Sequence, residues 1–588
     1  MSSSATDKPD VIDVDLESQL RRWTSEALVE LYPDVAGDVD PSVRPSRFAD
    51  YQVNCPLQLG KKLGRPPRDV AGELVEEIRK RAGSALELIE PSGPGFLNCT
   101  FSNGHLGHMV DTQRVDAALG RALTTHAKTF VVDYAAPNVA KEMHVGHIRS
   151  TLIGDCIVRI LEASGHKVIR QNHLGDWGTQ FGMLVQFLDE SEQDESKLLR
   201  ADDLEVLYRA ARAKFDSDEA FKQRARDRVV GLQNGDPATI ELWEKLVAVS
   251  KENFDHVFEV LGVTLGEADY RGESMYNDML DGVVDELRQK GLLVESQGAQ
   301  CVFPDGFKDK DGNAFPLMVQ KSNGGFGYAA TDLATLKHTV ESDRADVALY
   351  VVDARQSQHF AMVFEVARMA GWLDQTEAVH IAFGMVMGKD NKPFKTREGN
   401  TVRLVDLLDL AVAKSTELVD DRHSDWSSDE IKALGQAVGI GAVKWMELKS
   451  DRSQNYVFDV DTMTSFDGNT GPYIQYALTR AKSILRKADS NPAQNITIAE
   501  EGERDLALAL LGYGRAVAAV LDGYEPHVLC TYIYDLANTF SSFYEKCPVL
   551  ASGVEERVKR SRLTLCGLFV AVLEDAMSLI GLQALERM

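Results

Sequence analysis

Apolar residues recur at helical spacing in RDVAGELVEEIRKR, where Val70, Leu74 and Ile78 share one face, Pro66 lies at the start and Asp69 reads as a cap. LELIEPSGPGFLNCTFS follows as two short strands joined by a Pro/Gly turn, so the chain opens with a small α+β module ending near residue 125. The pattern changes at TFVVDYAAPN. The apolar run 130–132 predicts a buried strand, a helix runs from about His147 to a stop at Gly165, and a second strand covers 167–170. Strand, helix, strand at this spacing is a βαβ unit and implies a parallel sheet. Residues 189–260 are charged and helical without a strand signal, which predicts a helical insertion; strands resume in ADVALYVVD and AVHIAFGMV. From about 405 onward the chain reads as helical, with apolar periodicity in DLALALLGYGRAVAAVL and RLTLCGLFVAVLEDAM.

Composition narrows the class. The 588 residues are 44% hydrophobic and 26% charged, enough to bury a sizeable core and to exclude global disorder. The formal net charge of −26 excludes a bulk positive field for gripping nucleic acid. It leaves room for local basic surfaces such as GKKLGRPPRD, with Lys61, Lys62, Arg65 and Arg68. The seven cysteines form no CxxC pair, so neither a zinc site nor a disulfide framework is expected, and a reducing, cytoplasmic compartment is. No signal peptide is expected, and no membrane span: the most apolar stretch, around 565–573, stops at Glu574 and Asp575.

The chemistry concentrates where the first core strand hands over to its helix, at HVGH (His144–His147). Two histidines three apart suit a metal, but no third ligand lies at suitable spacing. A helix N-terminus instead offers free N–H groups and positive potential to a phosphate, and Gly146 lets a flat base approach the backbone. The carboxyl ends of parallel strands are the expected place for a nucleotide. Further on, GMVMGKDNKPFKTREGNTVRL is a basic loop after a strand, whose Lys392, Lys395 and Arg397 are placed to neutralise a leaving pyrophosphate.

Together the two segments resemble the HIGH and KMSKS signatures of class I aminoacyl-tRNA synthetases. DYAAPNVAKEMHVGHIRSTLIGD, NHLGDWGTQFGML, GYAATDLATLKH, YVVDARQSQHF, MGKDNKPFKTREGNTVRL and FDGNTGPYIQYALTR, in family order over about 130–488, resemble arginyl-tRNA synthetases specifically, as does the terminal ALERM. The resemblance implies a Rossmann-like α/β catalytic core between an N-terminal α+β domain and a C-terminal all-α anticodon-binding domain. The expected divisions are 1–125 for the tRNA-contacting module, 126–410 for the catalytic domain with its insertion at about 189–275, 411–454 for a helical stem, and 455–588 for the anticodon-binding domain. FKTR stands where KMSK would be; Arg397 takes the place of the second lysine, and Lys141 is expected to supply the missing ammonium.

The implied reaction activates L-arginine with ATP and Mg2+ and transfers it to tRNA(Arg). A selective arginine pocket needs a carboxylate for bidentate bonding to the guanidinium and gains from an aromatic face. Tyr328 and Asp332, four apart at a helix start, share a side. The resemblance assigns them to arginine together with Gln356, Asn138 and His147, and departs from the family where Ala136 replaces a frequent serine. His144, Gly146, His147 and GDWG (Gly175, Asp176, Trp177, Gly178) are expected on the ATP side, and His144, His147, Lys141, Lys395 and Arg397 as the catalytic set. Tyr473, Tyr476 and Met588 are expected to meet the anticodon, and Lys61 to Arg68 the outer corner of the tRNA. The family expectation is a monomer, with no resident metal. Small nucleotidyltransferases share HxGH but lack NHLGDWG and FDGNTGPY, and a paralogue that only binds RNA would have lost site residues that are all present here.

Overall fold

The computed structural model describes residues 14–191, 204–233, 235–392, 394, 402–422, 425–488 and 495–588. Five parallel strands form the central sheet, in the spatial order Glu377–His380, Val347–Tyr350, Thr129–Asp133, Lys167–Leu174, Tyr270–Gly272. Strands 129–133 and 347–350 are apolar runs buried on both faces, as a sheet covered on both sides requires. The chain leaves the central strand in one direction for two strands and in the other for the last two. The crevice beyond the carboxyl ends of 129–133 and 347–350 is therefore the topological switch point, where open α/β sheets bind ligands.

Two boundaries move relative to the sequence pattern. The first core helix spans Val145–Ala163 because His144 caps it two residues earlier than the apolar periodicity suggests. The second strand runs on to Leu174 because Asn172–Leu174 pair with Tyr270–Gly272, a strand too short to leave a periodic signal. The insertion is helical as expected, with Leu204–Ser217, Glu219–Gln233 and Pro237–Leu261. An antiparallel sheet of Val294–Ser296, Ala299–Val302 and Leu317–Gln320, which the pattern did not signal, leads into the helix Tyr328–Glu341.

In the N-terminal module, helix Pro67–Ala82 buries Val70, Leu74 and Ile78; Pro66 is its cap, and Asp69 sits in the first turn instead. It packs on a four-stranded sheet ordered Val43–Pro45, Tyr51–Val53, Phe96–Phe101, Leu86–Ser92. The C-terminal part is helical apart from Tyr456–Val457, which pairs in parallel with Val386–Met387 at the start of the basic loop. By length and composition Glu501–Gly523 is apolar enough to cross a bilayer. Here it forms two helices, Glu501–Leu511 and Tyr513–Gly523, whose Leu506, Leu510, Val517 and Val520 are buried in the helical core. The first and last parts of the chain are bonded to each other through Glu17 and Arg515 (2.6 Å) and through the Gln113 amide and the Leu510 carbonyl (2.8 Å).

Candidate active site

The loop from Tyr134 to His144 is bent by three non-glycine residues in the left-handed region, Ala135, Ala136 and Ala140. Each bend is held from outside. The N–H of Ala135 donates to Ser150 Oγ (2.9 Å), that of Ala136 to Asn172 Oδ1 (3.1 Å), and that of Ala140 to Ser250 Oγ (2.9 Å). Ser150 in turn donates to the Val351 carbonyl (2.6 Å), so one hydroxyl ties together the two strand ends that frame the switch point.

At the end of this loop the two histidines cap the helix reciprocally. His144 Nδ1 accepts the Gly146 N–H (3.0 Å) and His147 Nδ1 accepts the His144 N–H (2.9 Å), with ring centroids 3.9 Å apart. Both Nδ1 atoms are thus acceptors, and the neutral rings carry their proton on Nε2. Desolvation lowers both imidazoles, His147 to about 3, so they are neutral donors at pH 7. Gly146 has a second use beside the expected one: a Cβ there would lie 2.8 Å from His144 Cε1, so the glycine lets that ring fold back over the helix end. Lys141, Asp353 and Arg355 lie in the electrostatic surroundings of His144. Lys141 Nζ rests 4.9 Å above the Tyr208 ring of the insertion.

A second half of the site is acidic. Asp332 lies one turn into the helix that starts at Tyr328 and accepts from His359 Nε2 (2.5 Å), a bond that raises the His359 imidazole. Tyr328 is 77% exposed, an unusual position for a large ring, and feels the charges of Glu273 and Asp332. Burial pushes Glu273 up to about 7, with the negative charges of Asp176 and Asp332 adding to it, and burial pushes Asp133 up to about 6. Gln356 is exposed in the turn Ala354–Gln356 beyond strand 347–350. Glu273 and His359 were not assigned from sequence. The first follows a three-residue strand with no periodicity; the second lies inside YVVDARQSQHF but has meaning only once Asp332 is folded against it.

GDWG seals the second strand to the first loop. Asn138 and Gly175 form a parallel bridge, and a Cβ at Gly175 would lie 2.5 Å from Asn138 Oδ1. Asp176 spends both carboxylate oxygens on Ser274, through its N–H (2.9 Å) and hydroxyl (2.7 Å). Trp177 meets Trp243 edge-on at 6.1 Å, and Gly178 caps the helix Thr179–Asp189 at φ 111°. Lys392 is exposed in a turn closed by the Gly388 N–H and its own carbonyl (2.8 Å). Lys395 and Arg397 lie outside the described residues. Beyond the loop, His144 and Arg403 form an antiparallel bridge.

A helix N-terminus with two neutral donors thus follows the central strand whose terminal Asp133 feels the charge of Asp332, itself grouped with Glu273 and Asp176. Residues 110–460 match the family described as tRNA synthetases class I (R), catalytic domain. The chain is also 47% identical over 578 residues to the arginine–tRNA ligase of Thermobifida fusca (strain YX), covering 98% of this chain and all of that one. The chain belongs to the arginyl-tRNA synthetase family. Residues 16–101 match the arginyl tRNA synthetase N terminal domain and 474–588 the DALR anticodon binding domain. The arginine–tRNA ligase of Frankia casuarinae is 46% identical over 97% of this chain and 99% of its own. The crystal structure of the arginyl-tRNA synthetase from Plasmodium falciparum superposes with a TM-score of 0.84 at 28% identity, over 97% of this chain and 99% of that one.

On the flanks of this arginyl-tRNA synthetase the basic group divides. Lys62 pairs with Asp38 and Arg65 with Glu73, whereas Lys61 and Arg68 are exposed with no acidic partner among the described residues. Tyr473 donates its hydroxyl to Asn538 (2.8 Å) and packs by Tyr534, while Tyr476 is 43% exposed one turn along the same helix. Met588 packs on the cluster of Ile431, Leu434, Val438, Phe466 and Leu585, so it braces the stem helix Ser428–Leu448.

Proposed function

We propose that this arginyl-tRNA synthetase works through the two halves of the switch-point crevice as follows. The arginine guanidinium lies among Asp332, Glu273 and Tyr328, with Gln356 and Asn138 at its rim, so that its carboxylate points to the capped helix. The α-phosphate of ATP, with Mg2+ travelling as part of the nucleotide, sits at His144–His147. The arginine carboxylate oxygen attacks that phosphorus in line and the bond to the leaving pyrophosphate breaks, giving arginyl-adenylate. The ribose hydroxyl of the terminal adenosine of tRNA(Arg) then attacks the acyl carbon, AMP leaves, and one proton is released.

The two Nε2–H groups donate to the charge developing on the phosphate, a role in which neutral imidazoles neither need nor take a proton. Lys141, with Lys395 and Arg397, supplies cations to the pyrophosphate. Asp176, Trp177 and the glycines of GDWG support the nucleotide side through Ser274 and Trp243. Lys61, Arg68, Tyr476 and Tyr473 are proposed RNA contacts, with Lys62, Arg65 and Met588 acting through what they pack against. A monomer in the cytoplasm fits this reading, and seven free, buried cysteines suit a reducing compartment.

The observation that carries this assignment is the histidine-capped helix end following the central strand whose terminal Asp133 feels the charge of Asp332, itself grouped with Glu273. Its test is ATP–pyrophosphate exchange with a panel of amino acids, with and without tRNA. Exchange specific to arginine and promoted by tRNA is expected; exchange with another amino acid, or none with arginine and tRNA present, would sink the reading.

A further inference from the structure

Segment 447–458 touches three parts of the molecule at once. Toward the HVGH helix, Arg149 donates Nε to Glu447 (2.6 Å) and Nη1 to the Gln454 carbonyl (2.9 Å). Toward the strand before the basic loop, Asn455 Oδ1 accepts the Met385 N–H (2.7 Å) and the Tyr456 N–H donates to the Met385 carbonyl (3.2 Å). Toward the C-terminal helices, Lys449 donates to the Asn469 carbonyl (2.8 Å), and Arg452 reaches the end of helix Tyr513–Gly523.

The guanidinium of Arg452 donates Nη1 to the Ala382 carbonyl (2.7 Å), Nε to the Tyr524 carbonyl (3.1 Å) and Nη2 to the Gly523 carbonyl (3.2 Å). Its own carbonyl accepts the Gly384 N–H (2.9 Å). Gly523 and Tyr524 end the helix Tyr513–Gly523, Tyr524 in the left-handed region at φ 53°. Free carbonyls at a helix C-terminus attract a cation. All three acceptors are backbone carbonyls drawn from two bodies, an arrangement that needs the planar fork of an arginine and that a point charge cannot match. At Gly384 a Cβ would lie 2.7 Å from the Gln454 carbonyl oxygen and 2.7 Å from Asn455 Oδ1, so the contact closes only on glycine.

We propose that Arg452 is a positioning residue for the nucleotide half of the site. It clamps the strand Val386–Met387, and through Gln454 and Arg149 the HVGH helix, to the end of helix 513–523. The proposal rests on reading HVGH as the ATP side. The helix Tyr328–Glu341, which carries Tyr328 and Asp332, lies outside this clamp, whereas the turn Ala354–Gln356 touches it at one point, where the Ala354 N–H donates to the Phe383 carbonyl (2.9 Å).

The test is exchange kinetics of Arg452→Met and Arg452→Lys in the full chain, with Tm measured on the same preparations. Expected for Arg452→Met is a kcat lower by about tenfold or more, as small misplacements of reacting groups cost. The KM for ATP rises, the KM for arginine stays within about twofold, and Arg452→Lys recovers part of the loss. Folded Arg452→Met with wild-type kcat and KM for ATP overturns the proposal. So does a loss shared equally by both substrates and accounted for by a fall in folded protein. Should Arg452→Met not fold, Arg452→Lys decides by the same split, and wild-type constants in it count against the clamp. His147→Ala, assayed alongside, tests the functional reading separately, since it lowers exchange by about 10²–10³ whichever way Arg452 behaves.

Discussion

The backbone N–H of Val145 donates to the carbonyl of Val402 over 3.1 Å, and the Leu404 N–H returns a bond to the Met143 carbonyl at 2.8 Å. The first residue of the HVGH helix is therefore stitched to the residue that closes the basic loop. Residues 143–145 and 402–404, some 250 residues apart in the chain, thus form one short antiparallel clip in the fold.

In the proposed mechanism His144 and His147 are donors, not acids. His147→Ala is expected to lower kcat for exchange by about 10²–10³, the usual cost of one preorganised donor, with the KM for arginine little changed. Burial lowers both rings from the ordinary histidine value, so replacing either with asparagine leaves the pH profile between 7 and 8.5 unchanged in shape. A wild-type limb in that interval that disappears on substitution would show that the imidazole ionises there in turnover.

His147 also has a stability signature. Its folded value, about 3, lies below that of an unfolded histidine, so the unfolded chain binds more protons between the two. Its contribution is fully present above about pH 6.5 and is lost as pH falls toward 3. Urea midpoints of wild type and His147→Asn should converge on acidification. A constant gap from pH 7 to pH 4.5 would contradict this.

Glu273, at about 7 without substrate, holds a proton in the native state that an unfolded glutamate sheds near 4.5, so it favours folding at low pH and loses that contribution as pH rises from 4.5 through 7. A guanidinium placed against it reverses the preference. Arginine binding should tighten from pH 6 to 8 and release a proton below 7, read by calorimetry in buffers of different ionisation heat. Glu273→Gln removes both effects; proton release persisting in that variant would move the titration elsewhere.

Asp332→Asn should raise the KM for arginine by about 10² or more, because the charge-assisted bond to the guanidinium is lost, while His359 keeps only a neutral amide oxygen as acceptor. The KM for ATP should stay near wild type. Equal shifts in both would indicate that the helix start has moved rather than that the pocket has lost its charge.

Arg149 and Glu447 are 1% and 0% exposed at their side chains. Glu447→Ala leaves the guanidinium buried without its acid and should cost about 3–5 kcal/mol, while Arg149→Met combined with Glu447→Leu should restore most of that. Urea unfolding of both variants checks it; a double variant no more stable than Glu447→Ala would refute the pairing.

Much of the site was legible because its motifs are long and sit at strand ends, where loop residues answer to chemistry more than to packing. HVGH, GDWG and Tyr328–Asp332 each lie within one stretch of chain, and the parallel sheet follows from strand–helix spacing alone. What stayed hidden depends on distant partners. Glu273 gains its character from burial beside Asp176 and Asp332, and Arg149 reads as one charge among several on its helix until Glu447, 298 positions later, is placed beside it. Strands of two or three residues, such as Tyr270–Gly272 and Tyr456–Val457, carry too few positions to show a period.

The bond between Glu17 and Arg515 spans 498 positions, and that between Gln113 and Leu510 spans 397. A chain emerging from the ribosome at roughly 5–20 residues per second completes its first module well before the surface that module docks on exists. For some tens of seconds that face stays wet, guarded by its charges alone. An enzyme of translation thus joins its first module to its helical domain only after some four hundred further residues have been translated.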